Sequence, residues 1–280
     1  MNDQIFIDVR AFGINRLDLE MKKRQTNIGV EVCGVVLETG SSVFQVGDKV
    51  CALVSEGGYE KTAKASVHAT FHLPSHLDFS EGAALPESLF TLALNLWEIG
   101  RLKSGETLFI HSATGGIGDL GIKLARASGV TVMASSSRST EILRSWGAVS
   151  VFTSSSELQS ESVDVILDNS GSGHFSQHLK ALKTHGRLAM IDAYSGEEAT
   201  LDLGAVLDKS LQITGSLLRP RTLEEKEKTK IIIVNKLLPL IVEHKIRPHL
   251  HRVFSADSTL EAHTVLEART HFGKLIGVHE

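Results

Sequence analysis

The sequence predicts an α/β protein in which a doubly wound parallel sheet is joined to a smaller β-rich domain. Three observations predict it. Short strand-like segments fill the first hundred residues, strands and helices alternate from Glu106 onward, and a glycine-rich turn follows the first strand of that alternation. A length of 280 residues allows about two domains.

The first hundred residues contain short runs rich in valine and isoleucine that are separated by turns, a pattern typical of a β-rich domain. Strands are predicted at residues 5–11 and 29–38, residues 46–54 are predicted as a turn followed by a strand, and a turn at 57–59 leads into another strand. Gly34 lies in the middle of the second strand and predicts a bulge or a close approach of another backbone. Between Glu81 and Ile99 the pattern becomes helical, and Pro86 is expected to break or kink that helix.

From Glu106 onward the predicted strands and helices alternate. Strands are expected at residues 107–111, 130–134, 150–153, 163–168, 187–192 and 210–217, and helices at 116–127, 139–146, 175–182 and 222–243. The tail at 260–278 is expected to form a helix and then a strand. This alternation favours a parallel sheet that is covered by helices on both faces.

The segment from Thr107 to Gly118 places a strand, a turn of small residues and a helix in succession. Gly115, Gly116 and Gly118 have no side chains, so backbone N–H groups can approach a pyrophosphate there. The positive end of the following helix dipole also favours an anion. A string of glycines alone is weak evidence, but here it has the flanking strand and helix that dinucleotide binding requires.

The end of the second strand of the alternation predicts which dinucleotide binds. NAD-binding sheets carry an acidic residue there, about 20 residues after the glycines, to hold the ribose 2′-hydroxyl. This chain instead has Ser135, Ser136 and Arg138, whose hydroxyls and guanidinium suit a 2′-phosphate. We therefore expect NADPH as the cofactor. The serines could also cap the helix that starts near Thr140, and both roles are compatible.

Two later strand ends are expected at the same edge of the sheet, because ligands bind beyond the carboxyl ends of parallel strands. Asn169 and Ser170 follow the fourth strand, and Leu217 lies at the end of a later one. Asn169 and Ser170 could face the nicotinamide. For Ser170, a capped turn into the next helix is an equal alternative.

The composition excludes several classes of protein. Hydrophobic residues make up 42% and charged residues 22%, as in ordinary globular proteins, and a net charge of −4 gives no reason to expect binding to nucleic acid or to a membrane. No apolar run reaches the roughly 18–20 residues that span a bilayer. Two cysteines, Cys33 and Cys51, are too few for a disulfide framework or a cysteine-rich zinc lobe. With no signal or transit peptide pattern at the N-terminus, a cytoplasmic protein is expected.

A set of motifs along the chain points to a known family. They are Asn15-Arg16-Leu17-Asp18, Gly29-Val30-Glu31-Val32-Cys33-Gly34, Gly47-Asp48-Lys49-Val50, the segment 83–88 with Thr91, and the segments 110–118, 216–219 and 272–274. Together they resemble the zinc-free quinone oxidoreductase branch of the medium-chain dehydrogenase/reductase superfamily. Within that branch, the chain is most similar to the tumour-suppressor-inducible NADPH:quinone oxidoreductase group.

The resemblance implies a GroES-like β-rich substrate domain at residues 1–98 and 246–280 and a Rossmann dinucleotide-binding domain at 99–245. It implies hydride transfer from NADPH to a quinone or to a double bond conjugated to a carbonyl. Asn15 is implied to lie near the nicotinamide ribose. The other implied cofactor-binding residues are Thr91, Thr114, Gly115, Gly116, Ile117, Ser135, Ser136, Arg138, Asn169, Leu217 and Lys274.

The resemblance also bears on metal and mechanism. Relatives that oxidise alcohols have a cysteine where this chain has Asn15 and a histidine where it has Val30, and neither residue present here is a useful zinc ligand. A zinc-independent reduction is therefore expected, because a quinone accepts hydride without a Lewis acid. Water is expected to supply the proton. Tyr59 is the best candidate for a catalytic proton donor or a stacking surface, with ordinary packing as the alternative.

Two departures from the family affect the expected substrate domain. Relatives have a further hairpin before the strand at 5–11, and its loss would expose a sheet edge. The connection at residues 21–28 is also shorter than the Pro- and Gly-rich loop of relatives, which helps to wall the substrate site. We therefore expect a truncated substrate domain with a more open pocket, a different acceptor, or a weak or absent activity.

Three functions remain open at this point. The first is an NADPH-dependent quinone or enone reductase that forms a homodimer, as the resemblance implies. The second is a zinc-free enoyl-thioester reductase. The third is a cofactor-binding protein with little turnover, which the shortened substrate domain favours.

Overall fold

The computed structural model of the protein describes residues 3–279 and confirms the predicted fold class. The chain forms two compact units, Met1–Phe90 with Arg219–Glu280, and Thr91–Leu218. They are called the first and the second unit below. Each has its own sheet and its own buried core.

The elements follow in chain order. The strands are β1 (Gln4–Ile14), β2 (Glu31–Thr39), β3 (Lys49–Leu53), β4 (Thr62–Ser66), β5 (Thr70–His72), β6 (Thr107–Ile110), β7 (Thr131–Ser135), β8 (Ser150–Phe152), β9 (Val163–Asp168), β10 (Leu182–Met190), β11 (Gln212–Gly215), β12 (Leu250–Ser255) and β13 (Lys274–Val278). The α-helices are α1 (Arg16–Lys23), α2 (Phe79–Ala83), α3 (Pro86–Leu92), α4 (Gly116–Ala127), α5 (Glu141–Trp146), α6 (Phe175–Ala181), α7 (Leu203–Lys209), α8 (Leu223–Ile232), α9 (Leu238–Glu243) and α10 (Thr259–Ala268). A π-helical segment, Ala93–Ile99, extends α3, and another, Ile233–Leu237, joins α8 to α9.

The first unit is built on a sheet with the strand order β12-β13-β1-β2-β3-β5, and β4 also pairs with β1. All of these pairs are antiparallel except β12 with β13. Gly34 lies where the predicted close approach occurs, since a Cβ atom there would overlap the carbonyl oxygen of Asp8 on β1. The register of β1 against β2 shifts just beyond this point, between Val9 and Ala11.

The second unit is built on a parallel sheet with the order β8-β7-β6-β9-β10-β11. The order reverses between β6 and β9, so the chain leaves the sheet in opposite directions from these two neighbours. This is the strand order of dinucleotide-binding sheets, in which ligands bind at the reversal point. The glycine turn follows β6, and Asn169 follows β9, as the sequence predicts.

The unit boundaries differ from the predicted 98/99 and 245/246. The charged helix α8 was predicted with the dinucleotide-binding sheet, but it lies in the first unit, where Lys230 donates a 2.8 Å hydrogen bond to the Val67 carbonyl. Glu227 of the same helix lies 2.9 Å from Nδ1 of His68. The segment Ala93–Ile99 belongs to the second unit. Tertiary partners rather than the helical pattern therefore set both boundaries.

Most predicted elements of the second unit are present, and α4 and β9 have the predicted bounds. Helix α7 was not predicted. Its Leu203 and Leu207 are exposed, so it lacks the apolar stripe of a packed helix, and its start depends on Asp202, which accepts a hydrogen bond from the Ala205 N–H. Strand β12 was also missed. Within residues 3–279, no helix is both long and apolar enough to cross a bilayer.

Candidate functional site

The glycine turn after β6 leaves open space at the start of α4. Gly115 is the N-cap of this helix, and a Cβ atom at Gly115 would meet no atom within 4 Å. A Cβ atom at Gly118 would instead overlap the carbonyl of Ala113, so a glycine is needed for the helix to pack against the turn. The N–H groups of a first helical turn have no partner within their own helix, and the open space at Gly115 leaves them accessible to an anion such as a pyrophosphate.

Ser135 and Ser136 are both buried at the end of β7, where their hydroxyl oxygens accept backbone hydrogen bonds. Ser135 Oγ accepts from the Ser112 N–H at 3.0 Å. Ser136 Oγ accepts from the N–H groups of Arg138 and Ser139, both at 3.2 Å. Ser136 therefore organises the turn before α5 rather than capping the helix itself. A hydroxyl that accepts still has a proton to donate, so both serines retain a donor for a phosphate oxygen.

Arg138 connects this segment to the glycine turn. Its NH2 donates a 2.8 Å hydrogen bond to Oγ1 of Thr114, which directly precedes Gly115. The contact brings together two groups of residues that lie more than twenty positions apart in the sequence. The guanidinium is exposed. A planar cation held at the glycine turn by this contact, in the same short segment as Ser135 and Ser136, carries donors of the kind that recognise a phosphate.

Asn169 and Ser170 follow β9 and have different environments. Asn169 Nδ2 donates to the Ser112 carbonyl at 3.2 Å, and within residues 3–279 no hydrogen-bond partner is found for its Oδ1. Ser170 is fully buried, and both its N–H and its hydroxyl donate to Asp168 Oδ1 at 2.8 Å. Ser170 thus forms a turn, the alternative that the sequence left open, while Asn169 keeps a free amide oxygen.

The remaining predicted residues of the second unit are Thr91 and Leu217. Thr91 is buried near the end of α3, and its carbonyl accepts a hydrogen bond from Asn95 Nδ2 at 2.9 Å. Asn95 Oδ1 in turn accepts from the hydroxyl of Ser216 at 2.8 Å. Leu217, the next residue, is 69% exposed, so its side chain is available to a ligand.

In the first unit, Asn15 and Lys274 belong to one buried polar network. Lys274 Nζ lies 2.6 Å from both Asn15 Oδ1 and Glu31 Oε1. Asn15 Nδ2 donates to Glu31 Oε1 at 2.8 Å, and the second oxygen of Glu31 accepts from the Glu87 N–H at 2.9 Å. Burial lowers the pKa of Lys274, but the carboxylates of Glu31 and Glu87 outweigh it and leave that pKa above its usual value. The ammonium stays charged and holds the Asn15 amide in one orientation.

Asp18, three residues after Asn15, forms a second, partly buried contact with the distant Tyr59. Tyr59 donates its hydroxyl to Asp18 Oδ2 at 2.9 Å, and Nε2 of His263 lies 3.1 Å from the same hydroxyl. Burial, and then the Asp18 carboxylate, raise the pKa of Tyr59 above its ordinary value. The Tyr59 ring stacks on Phe12 with centroids 4.4 Å apart. The hydroxyl is therefore a weaker acid than that of a free tyrosine, and the ring has a fixed position.

Tyr59 also borders an open depression of about 390 Å³ on the first unit. The other lining residues are Lys22, Gln25, Thr26, Asn27, Ile28 and Glu60. Most of them come from the short connection after α1, the segment that the sequence marks as shorter than in relatives. A short connection leaves this depression open to solvent rather than covered.

Glu31 and Asp18 are the central residues of the first unit that were not singled out as site residues. Both occur in the motifs that carry the family resemblance, and both are charged residues with no solvent exposure. Glu31 lies two residues after Gly29, and Asp18 lies three residues after Asn15. Several of their partners are distant in the sequence, so only the folded structure identifies them. A buried charge that is fully hydrogen-bonded indicates a specific structural task.

Comparisons with known proteins agree with this architecture. A family profile described as "Alcohol dehydrogenase GroES-like domain" matches residues 1–83, and one described as "Zinc-binding dehydrogenase" matches residues 146–276. Quinone oxidoreductase from Sus scrofa is 27% identical over 98% of this chain and 89% of its own length. The chain belongs to the medium-chain dehydrogenase/reductase superfamily. It is a quinone oxidoreductase-like member.

Solved structures of this superfamily show the same fold. The Escherichia coli quinone oxidoreductase complexed with NADPH has a TM-score of 0.82 and 22% identity, covering 99% of this chain and 91% of that one. CurK enoyl reductase has a TM-score of 0.84 and 24% identity, covering 99% and 91%. Alcohol-oxidising members were expected to place zinc ligands at positions 15 and 30. Here the amide of Asn15 is engaged by Glu31 and Lys274, and Val30 is a buried apolar residue.

The buried Asp18 carboxyl leads to a testable pH dependence. Burial, opposed by hydrogen bonds from the N–H groups of Asn15 and Gly29 and from Tyr59, raises the pKa of Asp18 to about 6. Between the unfolded pKa of about 4 and this value, the unfolded chain loses its proton first, so wild-type stability falls as the pH rises. Relative to Asp18→Asn, the wild-type free energy of unfolding should fall by about 2.4 kcal/mol between pH 4 and pH 7, measured by urea denaturation. Asp257→Asn, at an exposed position of the same unit, should follow the wild type. Parallel curves for the wild type and Asp18→Asn would show that Asp18 ionises equally in both states.

Proposed function

We propose that this protein is an NADPH-dependent, zinc-independent reductase that transfers hydride to a quinone or to a double bond conjugated to a carbonyl. The observation that carries the proposal is the contact between Arg138 and Thr114. In this contact the guanidinium lies at the glycine turn, and Ser135 and Ser136 belong to the same segment, where an acidic residue would be expected for NAD. The relatives named quinone oxidoreductase support the same activity.

We propose the following cofactor contacts within the second unit. Thr114, Gly115, Gly116 and Ile117 bind the pyrophosphate through backbone N–H groups and the start of α4, and the 2′-phosphate is bound by Ser135, Ser136 and Arg138. The groove for the rest of the cofactor is lined by Thr91, by Leu217 and by Asn169, whose Oδ1 is free to accept a hydrogen bond. The open space at Gly115 supports this assignment, since a side chain there would fill it.

NADPH, when bound, supplies a hydride from its nicotinamide ring. We propose that Asn15 orients the nicotinamide ribose and that Lys274 acts by holding the Asn15 amide, since Lys274 is only 5% exposed. Tyr59 was predicted as a proton donor or a stacking surface. Because its hydroxyl already donates to Asp18 and its pKa is raised, we propose that it presents a rigid ring to the acceptor and that water supplies the proton.

Arg138 provides the sharpest test of the cofactor assignment. Arg138→Ala should raise the Kd for NADPH about 10- to 100-fold, because one hydrogen bond to a charged group contributes roughly 1.5–3 kcal/mol. The Kd for NADH, which has no 2′-phosphate, should change little. Fluorescence titration of both cofactors measures this, and Arg144→Ala, at an exposed arginine of α5, serves as the matched control. Equal weakening of both cofactors would exclude a 2′-phosphate role for Arg138.

The acceptor is tested by following NADPH oxidation with ortho- and para-quinones, a conjugated enone and an enoyl thioester. The proposal expects turnover with a quinone or an enone, and expects deuterium from the reduced nicotinamide to appear in the enone product. Turnover of the thioester alone would favour the enoyl reductase alternative, which the similarity to CurK enoyl reductase supports. NADPH binding without oxidation of any acceptor would instead indicate a cofactor-binding protein.

We further propose that the protein is a cytoplasmic homodimer. The family resemblance supports the dimer, and the two unbonded cysteines support a reducing compartment, since Cys33 and Cys51 are free thiols with Sγ atoms 3.6 Å apart. Light scattering should give twice the chain mass of 30.3 kDa, and cell fractionation should recover the protein with cytoplasmic markers. A species of 30.3 kDa at micromolar concentration would contradict the dimer.

A further inference from the structure

Ser112 lies at the start of the glycine turn and has a left-handed backbone, with a φ of +52°. It follows His111 at the end of β6. Residues other than glycine seldom adopt a positive φ, because the Cβ atom crowds the backbone, and they keep it only where several contacts impose it. Such strain is concentrated at functional sites, so the contacts of Ser112 indicate its task.

Each polar group of Ser112 contacts a different strand end of the sheet. Its N–H donates to Oγ of Ser135, the last residue of β7, at 3.0 Å. Its carbonyl accepts from Nδ2 of Asn169, directly after β9, at 3.2 Å. Its hydroxyl oxygen lies 3.3 Å from that of Tyr194, in the loop after β10. Segments that follow β6, β7, β9 and β10 therefore meet at this one residue.

The residue before Ser112 is held by contacts of its own. The N–H of His111 donates to the Leu167 carbonyl of β9 at 3.0 Å, and its Nδ1 lies 3.1 Å from Nε2 of His178 on α6. Nδ1 of His178 in turn lies 3.5 Å from Oδ2 of Asp168. Because these contacts fix His111, the torsion angles at Ser112 decide the direction in which the turn leaves the sheet.

The carbonyl of Ser112 connects two parts of the proposed cofactor site. It accepts from the N–H of Thr114 at 3.0 Å as well as from Asn169, and Oγ1 of Thr114 accepts from Arg138 at 2.8 Å. Rotation of φ at Ser112 to a negative value would swing this carbonyl away from its present direction. The contact with Asn169 and the position of Thr114 therefore both depend on the left-handed backbone.

The contact with Ser112 also sets the orientation of the Asn169 amide. A carbonyl only accepts hydrogen bonds, so the amide must direct Nδ2 rather than Oδ1 toward Ser112. Its Oδ1, for which no hydrogen-bond partner is found within residues 3–279, is then the atom left to accept from a ligand. The hydroxyls of a ribose and the amide N–H groups of nicotinamide are donors of this kind.

Tyr194 is brought to Ser112 by a loop that is anchored on the turn after β9. The N–H and the hydroxyl of Ser195 both donate to the Ser170 carbonyl, at 2.8 and 2.6 Å. A glycine at position 112 would adopt the left-handed backbone without strain, but it would have no hydroxyl for Tyr194. The contact with Tyr194 therefore explains why a strained serine occupies this position.

We propose that Ser112 is a positioning residue for cofactor binding, and that its left-handed backbone couples recognition of the 2′-phosphate by Arg138 to the orientation of Asn169. This inference rests on the proposed function, since it takes NADPH to lie along this edge of the sheet. A cofactor that engages Arg138 fixes Thr114 and the Ser112 carbonyl, and so finds Asn169 already oriented. The two contacts should therefore contribute to NADPH affinity together rather than independently.

The backbone is tested by fluorescence titration of full-length variants with NADPH. Ser112→Thr keeps the hydroxyl, but a β-branched residue disfavours positive φ, so fewer molecules have the binding conformation and the Kd should rise about 10-fold. Ser112→Gly keeps the backbone and loses only the hydroxyl, so the Kd should rise about threefold, as in Tyr194→Phe.

Ser210→Thr is the matched control for Ser112→Thr. Ser210 also has a left-handed backbone, with a φ of +50°, and lies in the same unit. It precedes β11 at the amino end of that strand, the edge of the sheet opposite the cofactor turn. Ser210→Thr introduces the same strain there, so its Kd for NADPH should equal that of the wild type.

The coupling is tested by a double-mutant cycle of Arg138→Ala and Asn169→Ala, which requires no variant at position 112 to fold. The rise in the NADPH Kd of the double variant should be at least about threefold smaller than the product of the two single rises. This deficit is expected because either substitution alone already loosens the Ser112 carbonyl that the other contact uses.

Three results would each overturn the inference. These are equal Kd values for Ser112→Thr and Ser210→Thr, an effect of Ser112→Gly as large as that of Ser112→Thr, and single effects that multiply in the cycle. A wild-type protein that binds NADPH and gives one of these results excludes only the positioning role of Ser112. A wild-type protein that does not bind NADPH contradicts the proposed function as well.

Discussion

The reversal of strand order between β6 and β9 is the constraint on which the second unit depends. At this point the chain leaves two adjacent parallel strands toward opposite faces of the sheet, so no helix covers the space beyond their carboxyl ends. The glycine turn and Asn169 both lie there because each follows one of these strands. The same constraint brings His111 and Asp168 together beneath the turn. This feature of topology thus creates the proposed cofactor site.

The first unit depends on a buried ion pair rather than on topology alone. Lys274 and Glu31 are removed from solvent, and each is satisfied by the other and by Asn15 and the Glu87 backbone. Removing one member would leave an uncompensated buried charge, which typically costs roughly 3–5 kcal/mol. Such a network contributes little net stability compared with an apolar core, but it allows very few orientations of the Asn15 amide. That restriction is what a residue that orients a cofactor requires.

The sequence predicted the parts of the structure whose causes are local. The bounds of α4 and β9 follow from a glycine turn and from an uninterrupted apolar run, and both patterns lie within a few residues of the elements they specify. The crowding at Gly34 was predicted for the same reason. The roles of Ser136 and Ser170 were harder to predict from the sequence, because a serine after a strand can cap a helix, form a turn or bind a ligand. Only the positions of the neighbouring N–H groups distinguish these roles.

What the sequence by itself determined is the order of strands and helices, the phosphate-binding turn and the lack of an acid after β7, since each is a property of neighbouring residues. Only the tertiary structure decided that α8 packs with the first unit, that Arg138 contacts Thr114, that Glu31 neutralises Lys274 and that His111 lies against His178. The residue pairs among these contacts are separated by between 24 and 243 positions in the sequence. Contacts at such separations form only when the strands pair and the helices pack over them, and no periodicity in the chain encodes them directly.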